Sequence, residues 1–285
     1  MFDTFKDKWK IKIIESGTFK LDGGAMMGSV PKILWEKTNP CDELNRIDLS
    51  MRCLLLDNGK DVVLIEAGIG NKNNEKFMKM FSVCQSTFPL KDELKKYGYE
   101  LTDVTHVILT HLHFDHAGGA TCFDGEAIIP TFPNAEYIIS RTNWEAGIKP
   151  NPKDRASYLI ENFLSIKESN QLTLVEDNQK IMDSIEGLAF YGHTTGQQLI
   201  KITVDNDSLI FCSDLIPLKS HLKIPWIMGY DLNAMKTLEE KTLFLDQAAK
   251  ENWLLFFYHD PKTMAVRIEK GDKYYNITEE YLSNG

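Results

Sequence analysis

The chain has no C-x-x-C pair, no block of basic residues, no internal repeat and no low-complexity tract among its 285 residues. Its five cysteines (Cys41, Cys53, Cys84, Cys122 and Cys212) are an odd number at irregular spacing. That argues against a disulfide framework or a structural zinc knot, and points to reduced thiols in a cytoplasm. Lys+Arg total 32 against Asp+Glu 41, a net charge of −9 with no basic stripe, so nucleic acid is not an expected partner. The longest strongly apolar run, residues 253–258, is far too short to span a bilayer, and the charged first ten residues lack the apolar centre of a secretion signal. No membrane partner is expected. With 43% apolar and 26% charged residues and no linker, the expectation is one domain over residues 1–285 with a full core.

Against that ordinary background stands His-Leu-His-Phe-Asp-His at 111–116, which places His111, His113, Asp115 and His116 within six positions. Imidazole and carboxylate donors suit zinc and its first-row neighbours. Upstream, residues 104–110 form an apolar, β-branched run that predicts a buried strand; downstream, Ala117-Gly118-Gly119 predicts a tight turn. The ligands therefore sit where a strand ends and a loop opens, the usual place for reactive groups.

The same placement recurs. His193 lies in a glycine-flanked loop, Asp214 closes the run that begins at Leu209, and His259 closes residues 254–258. Strands are predicted at 11–14, 51–56, 62–66, 136–139, 188–191, 199–204, 208–212 and 254–258, with a hairpin turn at Asp57-Asn-Gly-Lys60. Helices are predicted at 74–81, 91–97, 155–168 and 235–250; the third rests on the spacing of Leu159, Ile160, Phe163, Leu164 and Ile166. Two similar strand-rich halves imply two sheets packed face to face with helices outside, an α/β fold.

This set of residues resembles the metallo-β-lactamase superfamily. More narrowly, LDGGAMMGSVPKILW, THLHFDHAGG, YGHTTGQQ, CSDLIP and FYHDP are similar to segments of its N-acyl homoserine lactonase branch, over about residues 20–261. The resemblance implies an αββα four-layer sandwich with two divalent metals, zinc leading by base rate and manganese, iron or cobalt also suited. One would be held by His111, His113 and His193, the other by Asp115, His116 and His259. Asp214 and a hydroxide would bridge them. The implied activity is opening of the lactone ring of N-acyl homoserine lactones, hence quorum quenching, with Asp115 also shuttling the proton. Other small esters, thioesters or organophosphates are the alternative substrates, and a non-catalytic scaffold binding a signal molecule is the alternative class. A homodimer is the expected assembly. Cys212, two residues before Asp214, reads as a small core residue and not as a ligand.

The chain departs from the branch at Pro217, where well-known homoserine lactonases carry a substrate-facing tyrosine. His221 or Tyr230 is the expected replacement donor; the competing reading of His221 is a supporting residue outside the reaction. His106, inside the motif strand, reads as structural. The glycine-rich segment at 21–35 is expected either as a mobile cover whose Met26, Met27 and Trp35 contact the substrate's acyl chain, or as a hairpin tip plugging its own core.

Overall fold

The computed structural model describes residues 1–272 and 274–283. The first half of the chain builds a six-stranded sheet. β1 (Lys10–Asp22) pairs antiparallel with β2 (Arg46–Asp57), and β2 turns back into β3 (Val62–Ile65). That turn is the expected hairpin: Gly59 adopts φ +84°, and Asn58 Oδ1 accepts the Asp61 amide at 2.7 Å. Between β1 and β2 lie two short helices, α1 (Gly23–Met27) and α2 (Lys32–Trp35), the first capped by Asp22 Oδ1 on the Ala25 amide. α3 (Glu75–Met80) and α4 (Pro89–Lys96) then lead to β4 (His106–Ile108), which lies parallel to β3. After α5 (Phe114–Ala117) and the small hairpin of β5 (Thr121–Asp124) and β6 (Ala127–Pro130), the sheet is completed by β7 (Glu136–Ser140), α6 (Arg141–Ile148), α7 (Leu164–Glu168) and β8 (Leu172–Val175). Its order is β1-β2-β3-β4-β7-β8.

The second half forms a seven-stranded sheet from β9 (Lys180–Met182), β10 (Ile185–Phe190), β11 (Gln197–Val204), β12 (Asp207–Phe211), β13 (Leu254–Phe256), β14 (Thr263–Lys270) and β15 (Tyr275–Leu282). The long helix α8 (Ala234–Lys250) connects β12 to the parallel β13. Period-2 alternation along β12 explains the layering. Leu209 and Phe211 enter the core shared with the first sheet, whereas Ile210 and Cys212 enter a second core with Phe244, Leu245 and Ala248 of α8. The result is the αββα sandwich. Residues 51–56 are all buried, as a strand covered on both faces must be.

Three backbone hydrogen bonds stitch the sheets together at one end: Ser50 N to His259 O (2.9 Å), Arg52 N to Tyr258 O (3.2 Å) and Gln198 N to Thr110 O (2.9 Å). All three touch residues next to, or within, the predicted ligand set. Because β3 runs parallel to β4 and β12 parallel to β13, the segments that follow these four strands collect at the same end.

The structure corrects one helix. Residues 155–168 do not form a continuous helix; only a 3-10 turn at Ile160–Asn162 and the single turn of α7 appear. Asn151 Oδ1 captures the amides of Lys153 (2.8 Å) and Asp154 (3.3 Å), which competes with helix formation. The Tyr158 hydroxyl is drawn inward to Thr194 Oγ1 at 2.6 Å. Tertiary hydrogen bonds override the apolar spacing there. The short strands β5, β6, β8 and β9, the helix α6 and the final pair β14–β15 lie outside the predicted elements. Among the described residues, no helix is long and apolar enough to cross a membrane.

Candidate metal centre

The hexapeptide converts an extended strand end into a helix within six residues. Extended backbone puts His111 and His113 on one side and Leu112 on the other, where the Leu112 amide donates to buried Asn143 Oδ1 (2.9 Å). His113 has extended backbone (φ −65°, ψ 155°), and α5 begins at Phe114, which swings Asp115 and His116 back toward the same point. The following glycines are required by contact: a Cβ on Gly118 would lie 2.1 Å from Ile69 O, and one on Gly119 2.1 Å from Ala67 O. The turn can therefore settle onto the end of β3.

His193 in the β10–β11 loop, Asp214 after β12 and His259 after β13 complete the arrangement. Two donor sets result. His111 Nε2 lies 3.1 Å from His113 Nδ1, which lies 3.3 Å from His193 Nε2. His116 Nε2 lies 3.2 Å from His259 Nε2, with Asp115 Oδ2 3.5 Å from the latter. Asp214 divides itself between them: Oδ2 is 3.3 Å from His193 Nε2, while Oδ1 is 3.3 Å from both His116 Nε2 and His259 Nε2.

The outer hydrogen bonds decide which nitrogens carry protons. His259 Nδ1–H donates to Ser50 O (2.9 Å), and His193 Nδ1–H to Asp231 Oδ1 (3.0 Å). His111 Nδ1–H donates to Thr110 Oγ1 (3.0 Å), whose own hydroxyl donates to Glu66 Oε1. Glu66 Oε1 also lies 3.3 Å from His116 Nδ1. With their Nδ1 atoms engaged outward, His111, His193 and His259 turn Nε2 inward as the atoms free to coordinate. A cation in the middle would be met by these inward nitrogens. The spacing fits one: donors on a tetrahedral zinc at about 2.0–2.1 Å are separated by about 3.3 Å. Asp214 Oδ1 is buried with no hydrogen-bond partner, as a ligand oxygen would be. The groups able to hold a metal are His111, His113 and His193 together, and Asp115, His116 and His259 together. Glu66 also groups with His111 and His116, but its oxygen is engaged by Thr110, and we read it as support for the rings.

Electrostatics agree with a dication site. Burial and the neighbouring imidazoles hold His111 and His113 well below the ordinary histidine pKa. Burial favours neutral His116 too, yet Asp214, Glu66 and Asp115 outweigh it and raise its pKa well above the ordinary value. Burial raises the Asp214 carboxyl pKa, but His116, His259 and His193 pull it well below the usual range.

The structure separates the remaining expectations. His221 is buried and its Nε2–H donates to Met26 O (2.9 Å), leaving Nδ1 bare. Burial, with Lys241 nearby, lowers its pKa to about 3. A neutral ring whose only proton is held by a carbonyl has none to give a substrate, so the donor role expected for His221 is corrected to a supporting one. Tyr230 is 39% exposed, and burial of its hydroxyl together with Asp22 and Asp115 raises its pKa to about 12. Its hydroxyl therefore stays protonated near neutral pH. Met26, Met27 and Trp35 are 1%, 0% and 1% exposed. They plug the core, so the reading as a mobile cover is corrected; the outward apolar side chains of this segment are Ile33 and Leu34, 73% and 49% exposed.

Sequence reasoning did not single out Glu66, Thr110, Ser50 or Asp231. Glu66 alone carried a signal, since it closes an apolar strand as Asp214 does. It also missed an aromatic cluster: Phe114, between His113 and Asp115, packs 5.2 Å from Phe77 and 5.1 Å from Phe81, which are themselves 4.7 Å apart.

A family model described as the metallo-beta-lactamase superfamily matches residues 49–259. An N-acyl homoserine lactonase from Bacillus cereus is 27% identical over 254 residues, covering 84% of this chain and 89% of that protein. The crystal structure of a probable metal-dependent hydrolase from Staphylococcus aureus superposes with a TM-score of 0.89 at 30% identity, covering 98% of each chain. AidC, a dizinc quorum-quenching lactonase in complex with a product, gives a TM-score of 0.78 at 19% identity, covering 97% of this chain and 99% of that one; at that identity the likeness is one of fold.

Proposed function

The chain belongs to the metallo-β-lactamase superfamily and is a metal-dependent hydrolase, and from that premise we propose that it opens the lactone ring of N-acyl homoserine lactones with two divalent ions. The observation that carries the dinuclear reading is Asp214, whose two oxygens face two different sets of nitrogen donors. His111, His113 and His193 would hold one ion and Asp115, His116 and His259 the other, with Asp214 common to both. When bound, the ions supply Lewis acidity for a carbonyl and a water made nucleophilic near neutral pH.

The chain's own residues do the rest. Ser50, Thr110, Glu66 and Asp231 lock the imidazole orientations, so that no reorganisation is needed on substrate arrival. Tyr230, held protonated, donates to the carbonyl oxygen in place of the tyrosine absent at Pro217. Asp115 turns Oδ2 toward His259, leaving Oδ1 to take a proton and return it to the leaving alkoxide. The cluster of Phe77, Phe81 and Phe114 offers apolar surface beside Asp115 for an acyl chain. Five unpaired cysteines support a cytoplasmic, reducing setting.

A panel of homoserine lactones of increasing acyl length, beside aryl esters, phosphotriesters and a β-lactam, tests this reading. Lactones are expected to give the highest kcat/KM. Preference for a phosphotriester or a simple ester would move the substrate to the alternative class, while leaving the metal chemistry in place.

A further inference from the structure

A cavity of about 1050 Å³ adjoins the metal-ligating set without including any of its seven side chains. The segment after α2, the start of β2, the turn after His259 and the start of β15 bound it, and its size matches sites that hold small organic ligands. Two of its lining residues, Asp260 and Ser220, directly neighbour His259 and His221 in sequence. It is nevertheless a separate space.

Its charge runs against that of the molecule. In a chain of net charge −9, the cavity is lined, among the described residues, by four lysines, Lys37, Lys219, Lys223 and Lys262, against two aspartates. Both aspartates are committed elsewhere. Asp260 accepts the amides of Lys219 (2.9 Å), Lys262 (2.9 Å) and Thr263 (2.7 Å), and Asp48 pairs with Lys20 at 3.1 Å. Lys219 reaches Glu280 at 2.6 Å and Lys223 lies 4.0 Å above the Trp226 ring, whereas Lys37 and Lys262 have no ion-pair partner among the described residues. Between the lysines the surface is apolar, with Leu34, Leu222, Trp226 and Ile277; Leu34 and Ile277 are left well exposed to water.

Cations at the rim of an uncovered apolar trough match one ligand chemistry. We propose that this groove binds an amphipathic carboxylate of medium acyl length, its chain over Leu34, Leu222, Trp226 and Ile277 and its headgroup at the lysine rim. A two-fold pairing of copies through the same groove would set lysines against lysines, which disfavours a second chain as the occupant. The proposal stands independently of the substrate hydrolysed at the metals.

Titration calorimetry of the metal-loaded enzyme with decanoate, and with 1-decanol as the neutral control, tests it. The expected result is saturable decanoate binding at one site, weakened at least tenfold in K37E/K262E, with decanol weaker and indifferent to the substitutions. Both lysines are exposed and neither belongs to the residues placed at the metal centre, so hydrolysis of a short ester should be unchanged and reports that the variant is folded. Four outcomes would overturn the proposal: no saturation; equal affinity in the double variant, which would put decanoate at the metals; decanol binding as tightly as decanoate; or a wild-type dimer in sedimentation that the double variant dissociates.

Discussion

At the scale of single residues, a side chain's role here is set by which of its atoms is already engaged. Asp214 is among the charges that act on buried His221 and Asp115 among those that act on Tyr230, and both residues were candidates for the missing donor at Pro217. His221 spends its single proton on Met26 O, whereas the Tyr230 hydroxyl keeps its own. Tyr230→Phe should therefore lower kcat about a hundredfold on a lactone, the range for loss of one oxyanion donor. His221→Phe should retain most of kcat and instead lose about 1–2 kcal/mol of stability with its buried hydrogen bond. Steady-state kinetics beside thermal unfolding separate the two; the reverse pattern would restore His221 as donor. The residues that converge here were legible because His111, Asp214 and His259 each follow an apolar strand-like run, a placement too repetitive for turn chemistry alone. Glu66, Thr110, Ser50 and Asp231 were not, because an outer hydrogen bond needs only a polar atom at the right point in space and leaves no spacing in the chain.

At the scale of elements, α1 and α2 are built as core and not as a cover. The Met-rich segment at 21–35 looked mobile by composition, but α1 is capped by Asp22, and Met26 O is held by His221 while Ala25 O accepts the Gly229 amide at 2.7 Å. Burial of Met27 makes Met27→Ala a stability mutation, expected to cost about 2–5 kcal/mol with little change in acyl-length preference. Substrate selectivity should reside in the aromatic cluster. Phe77→Ala and Phe81→Ala should raise KM severalfold for long acyl chains and hardly at all for short ones. A chain-length series on these three variants checks both statements together. The apolar periodicity at 155–168 misled for a related reason: Asn151, Tyr158 and Thr194 supply hydrogen bonds that a helix would forfeit, and they are visible only once β10 and β11 bring Thr194 close.

At the scale of the whole molecule, the αββα layering was readable because strand patterning and helix faces report burial directly. The strand β15 escaped because it is an exposed edge with little apolar alternation. The layering also governs pH behaviour, since both sheets deliver carboxylates to one buried corner. In the metal-free protein, the raised pKa of His116 contributes stability that is complete below the ordinary histidine value and is lost as pH rises through the folded pKa. A metal must displace that proton, so metal affinity should rise with pH over the same window. Unfolding temperatures from about pH 6 upward should thus fall for the metal-free protein and hold or rise for the metal-loaded one. Parallel curves would contradict the assignment of His116 as a ligand.

The central claim is that Asp214 joins two ion sites into one hydrolytic centre. Titrating metal-free protein with zinc while following hydrolysis of N-hexanoyl homoserine lactone tests it directly. Activity should climb to a break at two equivalents per chain, and Asp214→Asn should neither reach that stoichiometry nor recover the rate. A break at one equivalent, or an Asp214→Asn protein that binds two ions and hydrolyses the lactone at full rate, would contradict the account.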